Sequence, residues 1–198
     1  MWSMRRATPI CAASGGISEE EDVFAPVAKA VKTRWAWLAL NLCTAFVASR
    51  VIGLFEHTIS QLVALAALMP IVAGIGGNTG NQTITMIVRA LALQHIQAGN
   101  LSFLLLRELG VASINGLVWG GIMGVVTFLL YQDAALGAVM TLAMVLNLLV
   151  AALMGVIIPM TMSRLGRDPA VGASVMITAI TDTGGFFIFL GLATLFLL

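Results

Sequence analysis

Residues 169–198 read PAVGASVMITAITDTGGFFIFLGLATLFLL, a run in which Asp182 is the one charged residue. A helix needs about 20 mainly apolar residues to cross the hydrocarbon core of a bilayer, and this run is long enough. An ionised carboxylate in hydrocarbon costs several kcal/mol, so such residues face a bundle interior or a watery path. Counting back from Asp182 in steps of four gives Thr178 and Ser174, and counting forward by three gives Gly185. These four share one helix face. Small residues at that spacing mark helix packing when they stand alone. An Asp in the same row favours a polar lining.

The rest of the chain agrees with a membrane setting. Its 198 residues are 60% hydrophobic and 10% charged, and mean hydropathy is +1.02. A soluble domain carries about 25% charged residues. This composition excludes a soluble globular domain and a disordered chain. A net charge of +1 excludes a nucleic-acid partner. Cys11 and Cys43 are too few for a disulfide framework and read as reduced thiols. Neither a Ser-His-Asp set nor a Cys-His pair is available, so an enzyme is not expected. His57 and His95 fall near span ends on opposite sides.

The fold expected is an all-α integral membrane protein with five transmembrane helices, at about 35–55, 59–93, 101–131, 135–162 and 169–198. Pro159 should kink or end the fourth. Residues 1–34 form a cytosolic segment, and residues 35–198 form the membrane domain. The first segment lacks a signal-peptide pattern. Its Ser18-Glu-Glu-Glu21 is a capping pattern for a polar helix towards Lys32. With the N-terminus in the cytoplasm, Arg5, Arg6, Lys29, Lys32, Arg34, Arg89, Arg107, Arg164 and Arg167 are inside, and Arg50 alone is outside. This is a strong positive-inside pattern, and five spans then leave the C-terminus outside. Glu56 and Asp133 are the outer acids, and Asp182 is read as the one acid within a span. Gly116, Gly120 and Gly124 form a ridge for close helix contact. Asn115 and Asn147 read as interhelical hydrogen bonds, and Trp35 and Trp37 as interfacial anchors.

A second polar stretch lies at 70–85, PIVAGIGGNTGNQTIT. Gly77, Asn81 and Thr85 share a face, and Asn78, Gln82 and Thr83 add neutral oxygens. Such oxygens suit hard cations or their water shells. In hydrocarbon they must line water or pair across helices. One carboxylate is a poor site for a doubly charged ion. In a two-fold dimer, Asp182 and its mate could face each other and share a cation. Mg²⁺ keeps several waters and is held through one or two carboxylates, so a hydrated Mg²⁺ is preferred. Spacing alone leaves Ca²⁺, Mn²⁺ and H⁺ open.

The Gly-Gly-Asn-Thr-Gly-Asn-Gln core at 76–82 and Thr181-Asp-Thr-Gly-Gly-Phe-Phe187 together resemble the transmembrane domain of the MgtE family of magnesium channels and transporters. The likeness covers about residues 22–198. It implies a homodimer in a bacterial plasma (inner) membrane, with a central pore lined by the second and fifth spans. It implies that Asp182 of both subunits binds a hydrated Mg²⁺, as transported ion and pore ligand. Asn81, Thr85 and the Gly77 backbone would line the same site, and Asn78 and Thr178 are grouped with them as candidate ligands. The family's cytosolic N-domain and CBS domains have no counterpart in residues 1–34, which resemble the end of their linker helix. A separate cytosolic regulatory domain is therefore an expected partner, or the chain is part of a longer product. Two alternatives stand beside a magnesium channel: a cation exchanger coupled to Na⁺ or H⁺, and a non-transporting membrane subunit in which Asp182 is a buried hydrogen-bond partner.

Overall fold

The computed structural model describes residues 26–94, 101–166, 169 and 172–198. Among them are six helices and no strand: α1 (Val27–Leu54), α2 (Glu56–Gln61), α3 (Ala64–Ala92), α4 (Leu101–Tyr131), α5 (Ala134–Arg164) and α6 (Ala173–Leu197). Met1–Ala25, with the Ser18 capping pattern, Cys11, Arg5 and Arg6, lie outside the described residues, as do His95 and Arg167. Four helices are long and apolar enough to cross a membrane: α1 from Arg34, α4, α5 and α6. α3 is 29 residues long, about 43 Å at 1.5 Å per residue. Its Gly, Asn, Gln and Thr run lowers its hydropathy.

The expected breaks need three corrections. The second span does not begin at Ile59, because residues 56–61 form the separate helix α2, ending at Leu62 (φ −127°). Pro159 does not end the fourth span: α5 continues to Arg164 with Pro159 buried inside it. The fifth helix starts at Ala173 rather than Pro169, after Gly172 at φ +91°. A side chain at Gly172 would also strike the Trp37 ring, since a Cβ there would lie 2.7 Å from Cη2. Trp35 is exposed, while Trp37, the other expected anchor, packs on Gly172.

α5 is the hub. It packs along α3, α4 and α6, while α1 rests on α6. The contacts fix direction. Trp37 meets Gly172, Phe55 stacks edge-on against Phe187 at 5.9 Å, and the Thr58 and Thr194 hydroxyls are 2.8 Å apart. α1 and α6 are therefore parallel. Gly80 meets Ile177 and Ser174 bonds Asn81, so α3 runs antiparallel to α6. Thr83 bonds Glu108 and, one turn on, Met86 Sδ accepts from Arg107, so α4 runs antiparallel to α3. The alternation brings Arg34, Arg89, Arg107 and Arg164 to one end of the bundle.

The helices touch closely where glycine removes side-chain bulk. The Gly116, Gly120 and Gly124 ridge packs on α5: a Cβ at Gly116 would come within 3.0 Å of Val145 Cα, and one at Gly124 within 2.8 Å of the Gly137 carbonyl. Thr141 Oγ1 donates across this seam to the Gly120 carbonyl at 3.0 Å. Asn147, fully buried, donates through Nδ2 to the Val72 carbonyl at 2.8 Å. Its Oδ1 has no partner among the described residues, and a buried unpaired group of this kind costs about 1–3 kcal/mol. Asn115, expected to bond another helix, makes no hydrogen bond among the described residues and lines a cavity instead. Apolar side chains point outward in numbers that suit lipid, among them Leu117, Trp119 and Leu129 of α4.

Two acids behave differently from expectation. Glu108 is 7% exposed and pairs with Arg107 at 3.0 Å, so Asp182 is not the one acid inside a helix bundle position. Asp133 is the N-cap of α5: its Oδ1 accepts from Ala135 N at 2.8 Å and Leu136 N at 3.1 Å. Its Oδ1 caps the helix N-terminus, a role that its place among the outer acids did not reveal.

Gly124→Leu is expected to lower the melting temperature of the purified protein strongly, by the several-degree shift that about 3 kcal/mol of overpacking brings. Gly121→Leu, where a new side chain meets open space, should leave it nearly unchanged. Thermal melting in detergent checks both.

Candidate cation site

α6 carries Asp182 as its tenth residue, about 14 Å from the helix start. That depth is near the middle of a hydrocarbon core about 30 Å thick. The carboxylate is partly exposed in an open cavity of about 440 Å³ lined by Asn41, Thr44 and Ala45 of α1 and Ser174, Val175, Thr178, Ala179 and Asp182 of α6. Among the described residues no hydrogen bond or ion pair reaches it.

α3 builds the adjoining wall. Asn78, Asn81, Gln82, Thr85, Met86 and Arg89 line a second open cavity of about 620 Å³. Ser174 Oγ donates to Asn81 Oδ1 at 2.8 Å, and this bond joins the walls of the two cavities. Gly77 faces α6, where a Cβ would stand 3.5 Å from Thr181 Oγ1. The six candidate residues therefore fall into linked groups. Asp182 and Thr178 line the first cavity, Asn78, Asn81 and Thr85 line the second, and the Gly77 backbone lies at the α3–α6 contact. The glycines of this stretch do not all serve the lining. Gly76 and Gly80 are buried against Asn147 and Ile177, which is packing.

The hydroxyls have a shared polarity. Thr178 Oγ1 donates to the Ser174 carbonyl at 2.9 Å, and Thr85 Oγ1 to the Asn81 carbonyl at 2.8 Å. Thr44 Oγ1 donates to the Asn41 carbonyl at 2.9 Å, and Asn81 Nδ2 to the Gly77 carbonyl at 3.0 Å. A hydroxyl has one proton and two acceptor lone pairs. With the proton turned back to the helix, each of these hydroxyls offers lone pairs to the cavity, beside the amides of Asn41, Asn78 and Gln82 and the Arg89 guanidinium. Waters held by a cation point their hydrogens outward, so these hydroxyl lone pairs and the Asp182 carboxylate suit a hydrated cation.

Sequence reasoning missed Asn41 and Thr44. Both lie in a helix otherwise apolar all round, and no periodic signal separates them from a lipid face. Their spacing from Trp37, at four and seven residues, is the signal that places them on its face. The described residues hold no cluster of three or more His, Cys, Asp or Glu side chains that could grip a bare metal ion.

The comparisons with known proteins come from the same region. The family model MgtE, described as a divalent cation transporter, matches residues 69–192. The chain is 32% identical over 164 residues to the magnesium transporter MgtE of Bacillus subtilis, covering 83% of this chain and 36% of that protein. It is 34% identical over 170 residues to the one from Thermus thermophilus, covering 83% and 36%. It is 31% identical over 182 residues to the one from Enterococcus faecalis, covering 92% and 40%. The chain thus spans little more than a third of the length of these relatives.

In a background with Cys11→Ser and Cys43→Ser, cysteines placed at Asn41 or Thr178 should react with a membrane-impermeant thiol reagent at rates near those of exposed thiols. A cysteine at Leu117 should stay unlabelled in a bilayer. Labelling in vesicles, followed by mass shift, checks whether the cavity is wet.

Proposed function

The chain belongs to the MgtE family of divalent cation transporters, and we propose from this that it is a pore domain passing hydrated Mg²⁺ across a membrane. In this reading two copies pair about a two-fold axis, with α3 and α6 of both lining one path. α1, α3, α4, α5 and α6 are the five spans, the arginine-bearing end is cytoplasmic, and the C-terminus is outside. Residues 1–34 are a cytosolic segment, residues 35–198 the pore, and the membrane is the bacterial inner membrane. The relatives' printed name, magnesium transporter, supports the choice of ion.

The observation that carries the reading is the Asp182 carboxylate, partly exposed to an open polar cavity without a protein cation to meet it among the described residues. The counter-charge then comes from the transported ion. Two Asp182 carboxylates balance one divalent cation. Mg²⁺ holds its waters at 2.0–2.1 Å and dehydrates reluctantly. A carboxylate bonded to those waters sits about 4 Å from the ion, so the two carboxylates would stand about 8 Å apart. Asn81, Thr85, Thr178, Asn78 and the Gly77 carbonyl supply acceptors to the outer face of that shell. Asn41 and Thr44 extend the same wall on the α1 side. Glu108 has its charge met by Arg107 and takes no part.

Wild-type protein in proteoliposomes is expected to take up Mg²⁺ down its gradient, accelerated by an inside-negative potential. Asp182→Asn and Asp182→Ala, both checked for folding and dimerisation, should lose about tenfold or more of that flux, equal to about 1.4 kcal/mol of lost ion stabilisation. Flux that needs a Na⁺ or pH gradient would replace the channel with a coupled exchanger. Undiminished flux in folded Asp182 variants would remove the site.

A further inference from the structure

We propose that Asn147 is a positioning residue that sets the width of the ion path. The inference rests on the pore reading of α3 and α6, and deepens it. Asn147 touches neither cavity. It is the fourteenth residue of α5 and is fully buried. Its side chain stands behind the two helices that supply most of the lining. Nδ2 donates to the Val72 carbonyl of α3 at 2.8 Å. On α3, a Cβ at Gly76 would lie 2.9 Å from Asn147 Cγ. On α6, a Cβ at Gly185 would lie 2.7 Å from Nδ2 and 3.3 Å from Oδ1. The amide therefore fills the space that two glycines on two helices leave open.

This placement makes the amide a spacer. Gly76 precedes Gly77, whose backbone faces Thr181. Gly185 lies one turn beyond Asp182. The thickness of the Asn147 side chain sets how far α3 and α6 stand apart, and the bond to Val72 sets the height of α5 against α3. A purely apolar filler of similar size would serve packing and leave no orphan. Oδ1, without a partner among the described residues, is instead retained, and a buried polar group left so calls for a reason beyond packing. The geometry supplies one: a flat amide with a directional donor fits the slot and locks its register. Mg²⁺ and Ca²⁺ differ in how rigidly they order their ligands. The width of the path is then a determinant of discrimination between them.

The test uses the full chain in proteoliposomes, with Mg²⁺ and Ca²⁺ influx measured over a concentration series. The variants are Asn147→Ala, Asn147→Ser, Gly185→Ala and the double variant Asn147→Ala with Gly185→Ala. The single variants are expected to change the Mg²⁺/Ca²⁺ flux ratio and the half-saturating Mg²⁺ concentration by about threefold or more, within the range of coupling found between touching residues. In the double variant the added methyl group occupies the vacated space, and the ratio should return towards wild type. Asn147→Ser covers the case in which Asn147→Ala does not fold. Variants that melt earlier but keep the wild-type ratio and half-saturation would overturn the proposal. A second readout does not depend on flux. Spin labels on cysteines at 78 and 178, with Cys11 and Cys43 replaced by serine, report the α3–α6 distance. An unchanged distance in folded Asn147 variants overturns the proposal. A changed distance, where the unlabelled wild-type chain passes no Mg²⁺ at all, leaves Asn147 as the α3–α6 spacer and removes the pore reading instead.

Discussion

Lipid tails are as apolar as leucine, so burying apolar surface between helices gives little drive to assemble in a bilayer. What remains is dispersion at short range, hydrogen bonds between helices and the fit of one backbone against another. α5 makes that fit three times. It meets α4 at Gly116, Gly120 and Gly124, α3 at Gly155 and Gly80, and both α3 and α6 through Asn147. At each place a single added carbon would meet backbone or a packed side chain. The positions of α3 and α6, and so of every polar group in the cavities, follow from where α5 lets them rest.

That scaffold explains why polar groups at membrane depth are tolerable. Most inward-facing ones have a partner: Thr141 on the Gly120 carbonyl, Thr83 on Glu108, Thr181 on the Ile177 carbonyl; Thr127 Oγ1 and Asn147 Oδ1 have none among the described residues. Of those facing the cavities, Thr44, Thr85 and Thr178 turn their protons back into their own helices, and Ser174 gives its proton to Asn81 across the α3–α6 contact. The three threonines leave their lone pairs to the open volume beside the Asp182 carboxylate. α1 completes this wall while packing mainly on α6; only 6% of its apolar window is buried. Its partner face is narrow, defined by Trp37, Ala48 and Phe55.

Much of this was legible in the sequence, and the reasons are physical. Asp182 stood out because a lone acid in an apolar run has few meanings. The glycine ridge on α4 was readable because four-residue spacing puts small residues on one helix face. Glu108 was not, since it lies seven residues into α4 beside Arg107 and looked like part of a solvated helix end. Asp133 is equally ambiguous: the same carboxylate attracts ions or caps a helix, and only the position of the Ala135 and Leu136 amides decides. The break at residues 55–63 was misplaced because α2 is a single short helix without a Pro or Gly to mark its end. Gly76 and Gly77 are adjacent in sequence, yet one packs against Asn147 and the other faces α6. That division depends on where α5 sits.

The low hydropathy of α3 bears on how the chain enters a membrane. Leaving the ribosome ahead of α4, α5 and α6, α3 presents Asn78, Asn81, Gln82 and its glycines to the lateral gate of the insertion machinery with no partner yet made. Each exposed amide raises the cost of partitioning into lipid. The groups that later satisfy Asn81 and fill the gap at Gly76 are Ser174 and Asn147, both translated afterwards. A helix of this kind is a poor passenger on its own and a stable one in company. Its integration is therefore tied to the arrival of its C-terminal neighbours, and truncation after α3 would leave it stranded outside the hydrocarbon.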